Sequence, residues 1–165
     1  MSSVIKNKKI CDEKSIKYEN SKIIFLNNYL KNDSGIDSQK FEDKLIVLHN
    51  GVDSNLFNSN VVKDKKRIIF IGNLKRFEES RNLEFYISTF KNENMPKDFK
   101  FTIIGTPKAE VSRLDKYVKE LGLEKNVEVK NWIKREEAIE ALNKSSIGLL
   151  INTKNNEHSV KYTSP

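Results

Sequence analysis

Between residues 67 and 151, short apolar runs alternate with segments of helical periodicity, and this rhythm constrains the fold more than any other feature of the chain. The first run, Arg67-Ile68-Ile69-Phe70-Ile71-Gly72, ends in glycine, and so does the second, Phe99 to Gly105 (FKFTIIG). Between them Leu83, Tyr86, Ile87 and Phe90 recur at helical spacing. Val111, Leu114, Tyr117, Val118 and Leu121 predict an amphipathic helix after the second run. Thr106 is its expected cap, Pro107 suits its first turn, and Gly122 falls where a left-handed C-terminal cap is expected. Val127-Glu128-Val129 reads as a third strand, Glu136 to Lys144 as a helix showing Ile139 and Leu142 on one side, and Ile147 to Ile151 (IGLLI) as a fourth strand. Strands separated by helices imply βαβ units and a parallel sheet, and continuous apolar strands suit burial on both faces.

The first 66 residues have no such rhythm. Ile23-Ile24-Phe25-Leu26 reads as one strand, and Asn27 to Lys31 as the start of a helix broken by Asn32-Asp33-Ser34-Gly35. Leu45 to Leu48 reads as a short buried strand running into HNGVDSNLF (residues 49–57), where Asn50-Gly51 is a strong turn signal because both residues tolerate positive φ. Residues 58–66 are polar and charged, and read as a linker.

Composition excludes several classes. No run approaches eighteen apolar residues, so no transmembrane helix is expected, and MSSVIKNKKICDEKS lacks the apolar centre of a secretory signal. The single Cys11 forms neither an internal disulfide nor a cysteine metal site, which fits a reducing cytoplasm. The two histidines show no metal-ligand spacing. A net charge of +7 admits nucleic acid, an anionic membrane surface or an anionic small ligand as partner. The basic residues are scattered among Asp and Glu, as in Val62-Lys63-Asp64-Lys65-Lys66-Arg67, and no helix-turn-helix, zinc or RNA-recognition signature accompanies them. No specific nucleic-acid partner is therefore expected.

The two strand-ending glycines, Gly72 and Gly105, mark the carboxyl edge of an open parallel sheet, where ligands bind. Glycine there either lets a ligand approach closely or simply makes a tight turn into the next helix. Neither GxGxxG nor GxxxxGKS is present, so the usual dinucleotide and P-loop signatures are absent.

In order along the chain, HNGVDSNLF, IIFIGNL…SRNLEFYISTF, FTIIG, LGLEKNVEVKNWI and REEAIEALNKSSIGLLINT resemble the group 1 (family 4) glycosyltransferases of the GT-B fold over roughly residues 20–165. The resemblance implies a Rossmann-like parallel sheet with flanking helices, an incomplete GT-B donor-binding domain. It assigns residues 1–57 to the remnant of an N-terminal acceptor domain and the interdomain crossing, 58–66 to a linker, and 67–165 to the first half of the nucleotide-sugar-binding domain. Phe57 would anchor the crossing on the second domain. The implied activity is retaining transfer of a sugar from a UDP- or GDP-sugar to a glycan or lipid-linked acceptor in polysaccharide or cell-envelope glycan synthesis. No cofactor or metal is implied. The expected location is cytoplasmic, with peripheral contact at the inner face of the cell membrane left open by the net charge.

In the family an Arg in a G-R-L turn and a Lys in a K-G step hold the donor diphosphate, where charge grows as the bond breaks. The turn here is Gly72-Asn73-Leu74, with Asn73 in place of the commoner Arg, and the K-G step aligns with Arg81-Asn82. Arg81 is thus the candidate phosphate ligand, with Lys75 or Arg76 able to supplement the weaker Asn73. The family's V-x-x-x-G segment aligns with Val127 to Ile133, where Asn131-Trp132 replaces the usual Gly. Trp132 then packs beside the nucleotide base or in the domain core. His49 does not match the family's catalytic His, and Glu157 and His158 read as a solvated loop, so no catalytic residue is assigned. KYTSP at the end resembles the opening of the family's donor-binding Glu-rich segment, so the chain reads as a truncated fragment, inactive alone. The alternative is a non-catalytic Rossmann-like binding or partner module.

Overall fold

The structure is a computed structural model that describes residues 22–57, 60–76 and 79–151; by its internal contacts the chain divides into two units after Val52. In the first unit β1 (Ile23–Phe25) pairs in parallel with β2 (Leu45–Val47), with Ile23 opposite Leu45 and Phe25 opposite Val47. Helix α1 (Asn28–Asn32) lies between them in sequence, and the Asn27 side chain accepts from the Leu30 N–H at 2.8 Å, satisfying a helix-start donor. Phe25, Phe41 and Leu45 form a small core with Ile23, Leu30, Ile36 and Val47 around it. Among the described residues, only one face of this pair is covered. Ile46 and Leu48, expected to be buried, are 40% and 58% exposed, because alternate residues of a strand point to opposite faces. Asn50 and Gly51 do not take the left-handed turn expected of them; among the described residues positive φ occurs only at Gly35, Asn82 and Gly122.

The second unit, Asp53–Asn152, is a four-stranded, wholly parallel sheet. Its strands are β3 (Asp64–Asn73), β6 (Lys100–Thr106), β7 (Val127–Asn131) and β8 (Ser145–Gly148), in the spatial order β7-β6-β3-β8. A short antiparallel hairpin, β4 (Lys75–Arg76) with β5 (Glu79–Ser80), follows β3. The helices are α2 (Leu83–Ser88, continued by a 3-10 turn over Thr89–Lys91), α3 (Lys108–Glu120) and α4 (Arg135–Lys144). Strand β3 begins at Asp64, so the charged residues 64–66 are the start of the central strand.

The alternation of β3 and β6 sends side chains to two faces. Phe70, Phe101 and Ile103 point to the side covered by α2 and α3, where Leu83, Ile87, Val111, Leu114 and Val118 complete the core. Tyr86, Phe90 and Tyr117 pack at its margin as expected, and the Phe90 and Phe101 rings stack with centroids 6.1 Å apart. Ile69 and Ile104, on the other face, are 1% and 2% exposed, yet α4 contributes no buried residue of its own. Among the described residues no helix is long and apolar enough to cross a membrane.

Local chemistry sets where the helices stop and start. At the end of α3, the Leu123 N–H donates to the Val118 carbonyl and the Gly122 N–H to the Lys119 carbonyl, each at 3.0 Å, with Gly122 at φ +67. This is the paired capping arrangement that needs a left-handed residue, sealed by Leu123 and Val118 in the core. The start of α3 departs from expectation. Thr106 is the last residue of β6 and Pro107 the cap, with no side-chain cap bond; the Pro107 carbonyl accepts from Glu110 and Val111. The last strand is also displaced, to Ser145–Gly148 rather than Ile147–Ile151. Backbone pairing fixes it: Asp64 lies opposite Ser145, the Ser146 hydroxyl donates to the Asp64 carbonyl at 2.6 Å, and Leu149 N–H reaches Ile69. As an outer strand it leaves Ile147 42% exposed, and Leu150, read as strand from its apolarity, is 82% exposed.

At the carboxyl edge Gly72 of β3 lies directly opposite Gly105 of β6. A Cβ at Gly105 would come within 2.4 Å of the Gly72 carbonyl and 2.6 Å of the Leu74 side chain, whereas at Gly72 the nearest atom is a Phe70 ring carbon at 3.5 Å. Gly105→Ala should therefore cost about 3 kcal/mol through overpacking, and Gly72→Ala under about 1 kcal/mol. Urea unfolding of the two variants, followed by Trp132 fluorescence, checks the difference; equal midpoints would refute it. Gly122→Ala meets open space but a left-handed backbone, and should cost about 1 kcal/mol in the same assay.

Candidate functional site

The candidate site is the carboxyl edge of the four-stranded sheet, and the chain builds it around Leu74. After β3 the Leu74 N–H donates to the Thr106 carbonyl at 2.8 Å, and its side chain, 1% exposed, fills the space that Gly105 leaves open. The hairpin β4–β5 then leaves and returns, and the Arg81 N–H donates to the Leu74 carbonyl at 3.1 Å, closing the excursion. Gly105 thus has a packing role, and Gly72 supplies the carbonyl that crowds it.

Arg81 is half-buried at this edge, and one terminal nitrogen of its guanidinium donates to the Ile151 carbonyl, just past β8. Asn82 follows at φ 51, ψ 40, in the left-handed region, and α2 starts at the next residue. Asn is the non-glycine residue best suited to that conformation. Asn73 ends β3 exposed, opposite Thr106. Trp132 directly follows β7, whose Asn131 lies opposite Gly105, and is 59% exposed, which rules out a place in the core. With strands about 4.8 Å apart, its backbone stands roughly 10 Å from that of Asn73 along the same edge. The edge therefore brings together Gly72, Asn73, Arg81 and Gly105, with Trp132 at its outer end.

Helices α2 and α3 also begin at this edge: α3 follows β6, and α2 follows Arg81, whose N–H is tied to Leu74 just past β3. Their first turns carry Glu84 and Glu110. Arg113, one turn into α3, joins them: its Nε and Nη2 lie 2.9 and 2.8 Å from Glu110 Oε2, and its Nη1 donates to Glu84 Oε1. The hydrogen bond with Glu110, followed by that with Glu84, holds the guanidinium above its ordinary pKa. The other Glu84 oxygen is buried and accepts no hydrogen bond.

Several residues take no part. Phe57, expected as an anchor, is 42% exposed; the nearby backbone is held instead, through Asn143 Nδ2 donating to the Leu56 carbonyl at 3.3 Å. His49 is exposed in the first unit, and Glu157, His158 and KYTSP lie outside the described residues. A cavity of about 490 Å³ lies at the opposite, amino edge, between Lys100, Phe101, Val127 and the last turns of α3, away from all these residues. The sequence reading missed two features. The antiparallel pair β4–β5 has no apolar alternation to betray it. The Glu110–Arg113 pair has the i, i+3 spacing of a helical ion pair, but its link to Glu84 exists only across two helices.

Among the curated proteins compared with it, none is matched. Among solved structures, S. aureus TarM, crystallised as a point mutant with fondaparinux, alpha-GlcNAc-glycerol and UDP, has a similar fold, with a TM-score of 0.53 at 16% identity. The likeness covers 77% of this chain and 24% of TarM's, so the chain spans about a quarter of that structure's length. The family model described as "Glycosyl transferases group 1" matches residues 52–158. That segment takes in every strand and helix of the second unit and every residue placed on its carboxyl edge, and by this match the chain belongs to the group 1 glycosyltransferases.

Proposed function

We propose that the second unit binds the nucleotide-sugar donor of a retaining glycosyltransferase, with the diphosphate held at the carboxyl edge by Arg81. The observation that carries this reading is the step Arg81-Asn82. A cation stands beside the end of the central strand, and the residue after it takes a left-handed backbone, which glycine adopts readily. The Ile151 carbonyl holds one arm of the guanidinium and so fixes the direction of a rigid fork suited to phosphate oxygens. Charge develops on the departing diphosphate as the glycosidic bond breaks, and a fixed cation there stabilises the transition state more than the ground state. No metal is needed for that role. Asn73 adds a neutral hydrogen bond, and the exposed ring of Trp132 offers the base an apolar surface.

The donor in this reading is a UDP- or GDP-sugar; UDP is the nucleotide in the TarM crystal, which supports testing it first. The acceptor is a glycan or lipid-linked glycan of polysaccharide or envelope synthesis, received mainly by the domain to which residues 1–57 belong, with 58–66 as the crossing. The net charge of +7 suits peripheral contact with an anionic membrane surface on the cytoplasmic side.

Calorimetric titration of the chain with UDP and with GDP tests the donor site. One of them should bind, and Arg81→Ala should weaken it about tenfold or more, with Arg81→Lys in between because it keeps charge but loses the fork. In a catalytically competent protein the same change should lower turnover on the order of a hundred- to a thousand-fold. Asn73→Arg should leave affinity intact or raise it. If Arg81→Ala binds as well as wild type while Lys75→Ala does not, the phosphate ligand is Lys75.

A further inference from the structure

We infer that Arg113 makes the carboxyl edge receptive to an anion by compensating the carboxylates of Glu84 and Glu110, and so acts as a positioning residue for the donor diphosphate; this rests on the donor-site reading above. Arg113 lies on α3 and is not in the Gly72–Arg81 segment expected to touch phosphate. Its role follows from what it holds. Glu84 and Glu110 sit in the first turns of the two helices that start at the site edge, Glu84 only three residues after Arg81. Two unopposed carboxylates there would oppose a diphosphate and would also draw on the Arg81 cation.

The geometry shows both carboxylates engaged by one guanidinium. Nε and Nη2 converge on Glu110 Oε2, and Nη1 turns to Glu84 Oε1 across the gap between helices. The side chains of Glu84 and Glu110 are 26% and 19% exposed, so water screens them only in part. Acidic residues in a first turn stabilise a helix through its dipole. The same residues are unfavourable beside a bound anion. Arg113 lets both carboxylates remain in place, with one net negative charge left where there would be two. It also ties the first turn of α2, which directly follows Arg81 and Asn82, to the first turn of α3.

Titration of the full chain with whichever of UDP and GDP it binds tests this inference. Arg113→Ala should weaken binding about tenfold at about 0.05 M salt and by much less at about 0.5 M, because the effect is one of charge. Adding Glu84→Gln and Glu110→Gln to Arg113→Ala should restore affinity to within about twofold of wild type. The double substitution Glu84→Gln, Glu110→Gln with Arg113 intact should tighten binding, and it keeps the test decisive if Arg113→Ala folds poorly. Unchanged affinity in Arg113→Ala, no gain in the double variant, or a triple variant as weak as Arg113→Ala would each overturn the inference; the last would assign Arg113 to packing alone. If wild type binds neither nucleotide, the donor-site reading itself falls, and the inference with it, before any variant is compared.

Discussion

Leu74 sits over Gly105, and the carboxyl edge of the sheet is arranged around that contact. The Gly72 carbonyl and the Leu74 side chain occupy the space where any other residue at 105 would carry its Cβ. With Leu74 seated, its N–H meets the Thr106 carbonyl and its own carbonyl receives the Arg81 N–H. Burial of one leucine thus fixes where the central strand ends, where the hairpin departs and where Arg81 re-enters. A side chain of that size contributes roughly 1.5–3 kcal/mol on burial, and here the contact also sets the geometry of the site.

The sheet is covered unequally, and this explains where its charge and its function lie. The face under α2 and α3 holds a continuous core from Phe70 to Leu123, while the face under α4 buries Ile69 and Ile104 with a helix that buries nothing of its own. The well-packed side is also the side whose helices start beside Arg81 and Asn73. The core is therefore most extensive behind the residues proposed to meet the diphosphate, the kind of support a site built on preorganised charge needs. The ion pairs away from this region are different in kind. Lys66 with Asp98 and Lys119 with Asp115 are exposed pairs whose hydrogen bonds raise the pKa of each lysine but which hold no part of the site.

Much of this was legible in the residues themselves. Apolar runs punctuated by glycine and helical periodicity specify a parallel α/β unit, because strands buried by helices must be apolar along their length and the joining helices amphipathic. The strands at Ile68–Ile71, Phe101–Ile104 and Val127–Val129, and the left-handed cap at Gly122, followed from local chemistry alone. The failures share a cause. Asn50-Gly51 has strong turn chemistry, but among the described residues no strand after β2 returns to pair with it, and neither residue takes a positive φ. The last strand moved toward Ser145 because hydrogen bonding to β3 chose its register over the apolarity of Leu150.

By itself, then, the sequence determined the elements and their order, since propensity, capping and periodicity are properties of neighbouring residues. It also placed Gly72, Asn73 and Arg81 within ten positions of each other around one strand end. Only the tertiary structure decided what those residues meet. Gly105 proved to be a packing requirement because Leu74, just past the neighbouring strand β3, comes to it, and Trp132 proved to be exposed at the end of β7. Arg113 joined Glu84 across two helices 29 positions apart. Contacts of that separation depend on how the layers pack, and packing is the one quantity that no local pattern in the chain encodes.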